Sequence, residues 1–222
     1  MTNPLTQRRQ PTSTLRRILR LVLPPPVYRA IRSLFMALFT PSFYAAQHGF
    51  YRSALSRSVV AAGGAAAPWM TFPLVTFLDK LCFRGRTVIE FGAGQSTIWW
   101  GARADTVLAL ETDPQWSRRI VAVAPANVEV VEVPLEYGDQ AAFDADVRRV
   151  VGDRRFDVVV VDGGDRVKAL LTAPAIITDD GFIVLDDLDL FADDPSWLGA
   201  LGALRQAGFG RIDFYGLAVS AP

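Results

Sequence analysis

The stretch that most constrains the fold of this chain is residues 88–97, with the sequence VIEFGAGQST. An apolar run leads to Glu90, glycines follow at Gly92 and Gly94, and a helical segment opens near Ser96. This order predicts a β-strand, a tight turn and a helix start, because glycine tolerates positive φ and lets a ligand approach the backbone closely. The free N–H groups at a helix start favour polar or negative ligand groups.

A second apolar run, residues 106–111, ends in Glu111, nineteen residues after Gly92. An acidic side chain at the end of such a strand can accept hydrogen bonds from both hydroxyls of a ribose. The glycine turn and this acid together predict a site for a nucleoside cofactor. A bare strand, turn and helix without a ligand is the alternative. A nicotinamide dinucleotide is disfavoured, because Thr97 stands where its fingerprint requires a third glycine or alanine.

Apolar runs and helical segments alternate along the rest of the chain. Strands are expected at 86–91, 106–111, 128–133, 156–161, 181–186 and 210–215. Helices are expected at 95–103, 114–123, 139–150, 166–177 and 195–207. This alternation predicts an α/β fold with a doubly wound, mainly parallel sheet. Ligands bind at the carboxyl ends of the strands in such sheets, where Glu111, Asp162 and Asp186 are expected to lie.

The N-terminal part of the chain differs in charge from the remainder. We predict a basic arm with a helical or lid-like extension over residues 1–75 and a cofactor-binding domain over residues 76–222. No acidic residue precedes Asp79, whereas nine arginines do, so the residues from Asp79 onward carry a net charge of −9. A basic arm favours an anionic membrane or nucleic acid as a surface partner. Contact between the arm and the acidic remainder is the alternative.

A helix over residues 27–39 would place an apolar face opposite Arg29 and Arg32. That face consists of Val27, Ile31, Leu34, Phe35 and Leu38. Such a helix could lie on a membrane surface, cap the domain or pair two subunits. No apolar run approaches the ~20 residues that a spanning helix requires, and the single cysteine allows no internal disulfide. We therefore expect a cytoplasmic protein, with membrane association through the basic arm.

The motif Glu-x-Gly-x-Gly-x-Ser at residues 90–96 resembles motif I of the class I S-adenosylmethionine-dependent methyltransferases. The resemblance covers roughly residues 68–216, including segments similar to the family's fourth and fifth strands at 156–164 and 181–187. Further segments resemble a little-described bacterial group of small-molecule methyltransferases. The resemblance implies a Rossmann-like fold that binds S-adenosylmethionine.

The resemblance also implies roles for single residues. The position of Glu90 helps to place the methionine ammonium of the cofactor, and the position of Glu111 holds the ribose. Trp69 is expected to pack on the adenine or on an acceptor ring, with core packing as the alternative. The predicted cofactor-binding residues are Glu90, Gly92, Gly94, Ser96, Thr97, Glu111, Trp69 and Asp162.

Acidic residues at two strand ends carry the predicted chemistry. Asp162, Asp186 and Asp187 offer the hard oxygen ligands that suit Mg²⁺. The alternative is that Asp186 and Asp187 cap loops or helix starts and that Asp162 only orients the cofactor or substrate. Removal of a proton from a hydroxyl acceptor requires a base or a metal. Asp162 and His48, the only histidine, are the catalytic candidates. A purely structural role for His48 is the alternative.

These residues predict a methyltransferase that acts on a small-molecule or lipid-linked acceptor at oxygen. The alternative is a non-catalytic cofactor-fold protein whose basic arm docks to a membrane or a protein partner. Nucleic acid is not an expected substrate, because the chain has no base-flipping motif or recognition module. Only six residues follow residue 216, so the family's seventh strand does not fit. An unprotected sheet edge would favour a homodimer.

Overall fold

A computed structural model describes residues 14–56, 58–135, 138–191 and 193–218. The chain divides into two compact units, Met1–Gln47 and His48–Pro222. This division falls before the lid-like extension that the sequence grouped with the basic arm. Residues 48–75 therefore belong to the same unit as the sheet.

The described part of the first unit, residues 14–47, contains two helices, α1 (Thr14–Val22) and α2 (Pro25–Gln47). Pro25 opens α2, a position where the missing N–H of proline is not needed. Arg20 of α1 lies over the Tyr28 ring of α2, with its guanidinium carbon 5.8 Å from the ring centroid. The expected helix over residues 27–39 is thus part of a longer one. No helix in the described ranges has both the length and the apolarity needed to cross a membrane.

The second unit is built on a five-stranded sheet in the order β3-β2-β1-β4-β5. Its strands are β1 (Thr87–Phe91), β2 (Thr106–Glu111), β3 (Val128–Glu132), β4 (Phe156–Val161) and β5 (Ile177–Leu185). All four pairings are parallel. The predicted α/β, doubly wound sheet is confirmed. The strand order reverses between β1 and β4, and such a switch point is where open sheets of this kind bind ligands.

Helices cover both faces of this sheet. The helices described in this unit are α3 (Phe50–Ser56), α4 (Phe72–Leu78), α5 (Gln95–Gly101), α6 (Pro114–Val121), α7 (Gln140–Val151), α8 (Arg166–Ile176) and α9 (Pro195–Gln206). Residues of α4 and α5 pack in one core against the strands, and residues of α7 and α8 pack in the other. Alternate residues of β1 enter different cores: Val88 packs with Trp100 of α5, whereas Ile89 packs with Phe143 of α7. Burial on both faces explains why the central strands are mostly apolar, with Glu90 as the buried exception in β1.

The strand expected at 210–215 does not form, and that prediction was wrong. The segment instead runs beside the start of α4, where the Thr71 hydroxyl donates to the Phe214 carbonyl at 3.3 Å and the Phe72 N–H donates to the Leu217 carbonyl at 2.8 Å. Within the described ranges, β5 therefore forms one edge of the sheet. A homodimer through that edge stays a prediction.

Candidate cofactor-binding and active site

Glu90 lies in the middle of β1 and is fully buried. Its Oε2 accepts a hydrogen bond from the Thr97 hydroxyl at 2.5 Å, and Thr97 Oγ1 in turn accepts one from the Gly94 N–H at 2.8 Å. These bonds fix the turn between β1 and α5. The other carboxylate oxygen, Oε1, is buried and has no hydrogen-bond partner among the described residues. An unsatisfied buried oxygen at a turn of this kind points to a missing donor.

Burial raises the pKa of Glu90 to about 7, although the hydroxyls of Ser96 and Thr97 act in the opposite direction. The nearby charge of Glu111 raises the pKa further. A buried carboxylate is unfavourable without a compensating charge. The position therefore favours a ligand that brings a cationic donor to Glu90.

Glu111 is the last residue of β2, and its side chain holds the glycine turn that follows β1 against the end of β2. Its Oε2 accepts a hydrogen bond from the Ala93 N–H, and its Oε1 accepts bonds from the N–H groups of Thr112 and Asp113, all at 2.8 Å. A carboxylate can accept about four hydrogen bonds. Glu111 thus has capacity left at Oε2 for a ligand hydroxyl, but it also organises the backbone around the site. The sequence suggested only the ligand role.

Two glycine loops meet backbone to backbone at the switch point. Gly92 has φ +95°, and a Cβ there would lie 3.0 Å from the Gly163 Cα. A Cβ on Gly163 would lie 2.8 Å from the Gly92 Cα. Neither position tolerates a side chain without a shift of backbone. The loop after β1 is therefore held against the loop after β4, which begins at Asp162.

The three predicted metal ligands lie together. Carboxylate oxygens of Asp162, Asp186 and Asp187 all lie within 4.8 Å of one another. The strands position them, because the Asp162 N–H donates to the Phe91 carbonyl at 3.1 Å and the Asp186 N–H donates to the Val161 carbonyl at 3.2 Å. These bonds extend the sheet pairing by one residue beyond the ends of β4 and β5.

Arg166 already supplies a positive charge to this acidic group. Its guanidinium lies 2.8 Å from the Asp187 carboxylate and 3.6 Å from that of Asp162, and it also donates to the Asp162 carbonyl at 3.1 Å. Asp187 has φ +59°, the only positive φ outside glycine among the described residues. Strained backbone of this kind is common at functional sites, and Arg166 is the described partner of the Asp187 side chain.

Burial and mutual repulsion raise the pKa values of two of these acids. Burial, together with the charges of Asp186 and Glu90, raises the pKa of Asp162 to about 8, while Arg166 acts in the opposite direction. Burial and the charge of Asp187 raise the pKa of Asp186 to about 6. The site is therefore a half-buried group of carboxyls that holds protons near neutral pH, and a cation would displace those protons.

The remaining predicted site residues occupy different surroundings. His48 stacks on Phe72 at the start of α4, with ring centroids 4.8 Å apart. Trp69 precedes α4 and is about half exposed, at 47%. Ser96 and Thr97 are buried in the first turn of α5, close to Glu90. The structure thus gathers the predicted glycines, hydroxyls and acids at one end of the sheet, whereas the roles of His48 and Trp69 stay predictions.

Sequence reasoning did not assign three residues that help to build this site. Arg166 compensates the acids, Gly163 permits the close loop contact, and the Trp116 indole N–H donates to the Ala93 carbonyl of the glycine turn. A signal existed for Arg166, because it follows Asp162 by four residues at a helix start. No local pattern indicated the other two contacts, since each joins segments far apart in the chain.

Several solved structures are similar to this chain over part of its length. A TehB-like S-adenosylmethionine-dependent methyltransferase from Corynebacterium glutamicum is 19% identical, with a TM-score of 0.37, over 50% of this chain and 59% of its own. A methyltransferase from Thiobacillus denitrificans in complex with S-adenosylhomocysteine is 16% identical, with a TM-score of 0.37, over 65% of this chain and 54% of its own. This chain thus spans less than two thirds of both proteins.

A third structure, the precorrin 8W decarboxylase of Methanobacterium thermoautotrophicum, is 17% identical, with a TM-score of 0.46, over 70% of this chain and 80% of its own. No protein-family model matches the sequence, and no curated protein matches it. At these identities and TM-scores, similarity alone does not assign an activity to this chain. The residues of the site have to carry any functional conclusion.

Proposed function

We propose that this chain is an S-adenosylmethionine-dependent methyltransferase that transfers a methyl group to oxygen of a small-molecule or lipid-linked acceptor. The observation that carries the proposal is the buried Oε1 of Glu90, which has no hydrogen-bond partner in the part of the chain that the structure describes. Around it, Glu111 and Asp162 add further carboxyl groups at neighbouring strand ends. This charge pattern supports a cationic nucleoside cofactor and opposes a pyrophosphate.

The residues fit such a cofactor in distinct ways. Glu90 would accept a hydrogen bond from its ammonium group, directly or through water, and Glu111 would accept one from a ribose hydroxyl at Oε2. The close contact of Gly92 with Gly163 leaves the turn without side chains that could fill the space. Thr97 holds Glu90 from the side of α5 through its hydroxyl. Trp69 is the proposed aromatic contact for the adenine or acceptor ring.

The bound cofactor supplies an electrophilic methyl on sulfur. In the transfer, the acceptor oxygen forms a bond to the methyl carbon while the carbon–sulfur bond breaks and its electron pair returns to sulfur. The acceptor hydroxyl loses its proton to a base. Asp162 is the proposed base, because its raised pKa of about 8 makes its ionised form a stronger proton acceptor than an ordinary carboxylate. His48 is the second candidate.

Calorimetric titration with S-adenosylmethionine and S-adenosylhomocysteine tests the cofactor, with NAD⁺ as the competing ligand. The informative variant is Glu111→Gln, and Glu132→Gln is its matched control, because Glu132 lies opposite Glu111 in the register but is exposed. We expect binding of both sulfur nucleosides and none of NAD⁺. Affinity should fall about tenfold or more in Glu111→Gln, since a lost hydrogen bond to a charged group is worth ~1.5–3 kcal/mol, and stay unchanged in Glu132→Gln.

Absence of binding by the folded wild-type protein would contradict the cofactor assignment, and binding of NAD⁺ would replace it. If the cofactor binds, an acceptor screen with and without chelator tests the Mg²⁺ prediction. Loss of transfer on chelation and recovery with Mg²⁺ would support a metal at Asp162, Asp186 and Asp187. Full activity in chelator would leave Arg166 as the cation of this group. Cofactor binding without transfer to any acceptor would favour the non-catalytic alternative.

A further inference from the structure

The first unit presents large apolar side chains to solvent. In α1, Leu21 is 85% exposed and Val22 is 73% exposed. In α2, Leu34 and Leu38 are exposed by 62% and 61%. Large apolar side chains that are exposed in this number mark an interaction site when they form a common surface. The unit therefore has a binding face that its own two helices do not cover.

Five apolar residues of α2 share one side of the helix. At 3.6 residues per turn, Val27, Ile31, Leu34, Phe35 and Leu38 fall within an arc of about 100°. Ser33 and Thr40 fall on the opposite side together with the exposed Met36, and the exposed Phe39 and Phe43 also lie outside the arc. The five residues thus form an apolar stripe along residues 27–38, on a helix whose other sides carry both polar and apolar residues.

The charge of this unit has a single sign. Residues 14–47 contain five arginines and neither an acidic residue nor a lysine. Arg20, Arg29 and Arg32 are exposed. None of them takes part in an ion pair with an acidic side chain of the described ranges. These arginines therefore carry positive charge that no described acidic side chain compensates.

We propose that α1 and α2 dock this protein on the surface of an anionic lipid bilayer. The apolar face would enter the boundary between headgroups and acyl chains, and the arginines would contact the lipid phosphates. Neither helix qualifies as a membrane span, so the unit lies on the surface. The acidic remainder of the chain could attract the arginines, but attraction between charges does not explain why the apolar side chains are exposed. An anionic bilayer would bind both the arginines and the apolar side chains.

Vesicle co-sedimentation of the full-length chain tests the proposal. The probes are vesicles of phosphatidylcholine alone and of phosphatidylcholine mixed with phosphatidylglycerol. We expect binding to the mixed vesicles, weakening as salt rises because the charges are screened, and much weaker binding to phosphatidylcholine. The double variant Leu34→Asn/Leu38→Asn should bind about tenfold more weakly or worse. The matched control is Ser33→Asn/Ala37→Asn, which changes exposed residues away from the apolar face and should bind as the wild type does.

A charge variant separates the two contributions. Arg29→Gln/Arg32→Gln should lose most of the preference for phosphatidylglycerol and most of the salt dependence. Thermal unfolding of each variant checks that the fold is intact. No binding of the wild type to mixed vesicles, or equal binding by the Leu34/Leu38 variant and its control, would overturn the proposal. The proposal would also be overturned if the wild type formed a dimer that did not bind vesicles while the Leu34/Leu38 variant was a monomer. The apolar face would then join two copies of the chain.

Discussion

Glu90 shows how a single side chain can link stability to ligand binding. It is an ionisable residue that is fully buried, with one oxygen bonded to Thr97 and the other without a described partner. Burial raises its pKa from 4.5 in the unfolded chain to about 7. The folded protein therefore prefers the protonated acid. Its contribution to stability is fully present below pH 4.5, is lost as pH rises to about 7, and is constant above that.

We expect Glu90→Gln to remove this pH dependence. Relative to the wild type, the variant should gain about 3 kcal/mol of unfolding free energy between pH 4.5 and pH 8, since one pKa unit corresponds to ~1.4 kcal/mol. Denaturant unfolding of both proteins across that range measures the difference. A constant difference at all pH values would show that Glu90 ionises normally in the folded state. The same variant should bind S-adenosylmethionine more weakly, because the proposed ammonium contact loses its charge.

Arg166 is a second residue whose surroundings predict a measurable effect. It contacts Asp162 and Asp187 and is only 19% exposed, so its removal leaves two half-buried acids without a compensating charge. Arg166→Gln should lower the unfolding free energy at neutral pH by about 2 kcal/mol. Arg149→Gln is the control, because its pair with Asp146 is exposed and should contribute less than about 0.5 kcal/mol.

The same Arg166 variant tests the metal prediction from another side. If the three acids also bind Mg²⁺, adding Mg²⁺ should raise the melting temperature of Arg166→Gln more than that of the wild type, because the ion would replace the lost charge. Equal melting temperatures with and without Mg²⁺ in both proteins would count against a metal at this position.

At the scale of elements, the site depends on the contact between the loops that follow β1 and β4. Gly163 does not have a positive φ, so its backbone conformation would accept any residue. A side chain is excluded there because its Cβ would lie too close to the Gly92 backbone. Gly163→Ala should therefore destabilise the protein by about 2 kcal/mol, as overpacking does, and weaken cofactor binding. Gly202→Ala in α9 has open space around the new methyl and should stabilise by about 0.5–1 kcal/mol. Equal unfolding midpoints for the two variants would show that the loops can separate freely.

At the scale of the whole molecule, the two units differ in how their residues are held. The central strands β1 and β4 are buried on both faces, with Val88, Ile89, Val159 and Val160 fully inaccessible. Most of the side chains of residues 18–47, in α1 and α2, are exposed. Amide hydrogen exchange should accordingly be slowest in β1 and β4 and faster in α1 and α2 by several orders of magnitude, because local opening there disrupts few buried contacts. Equal protection in both units, without lipid, would contradict this expectation.

The sequence by itself determined the sheet and the location of the site. Apolar runs that end in Glu90–Gly94, Glu111 and Asp162 specify buried parallel strands, and all parallel strands place their carboxyl ends at one edge. Two helix starts have an equally local cause: Asp113 and Asp194 each accept hydrogen bonds from N–H groups of the helix that follows, and a proline stands next to each. These features depend on local chemistry and on the alternation of elements, which a single sequence contains.

The tertiary structure decided which segments are partners. Residues 210–215 have a strand-like composition, yet they bond to the start of α4 instead of β5, and only the assembled chain brings that partner near. The bond from the Ala93 N–H to Glu111 and the contact of Gly163 with Gly92 likewise join residues that the sequence keeps apart. Burial, pairing and close approach are properties of neighbours in space, and therefore no pattern within one segment could specify them.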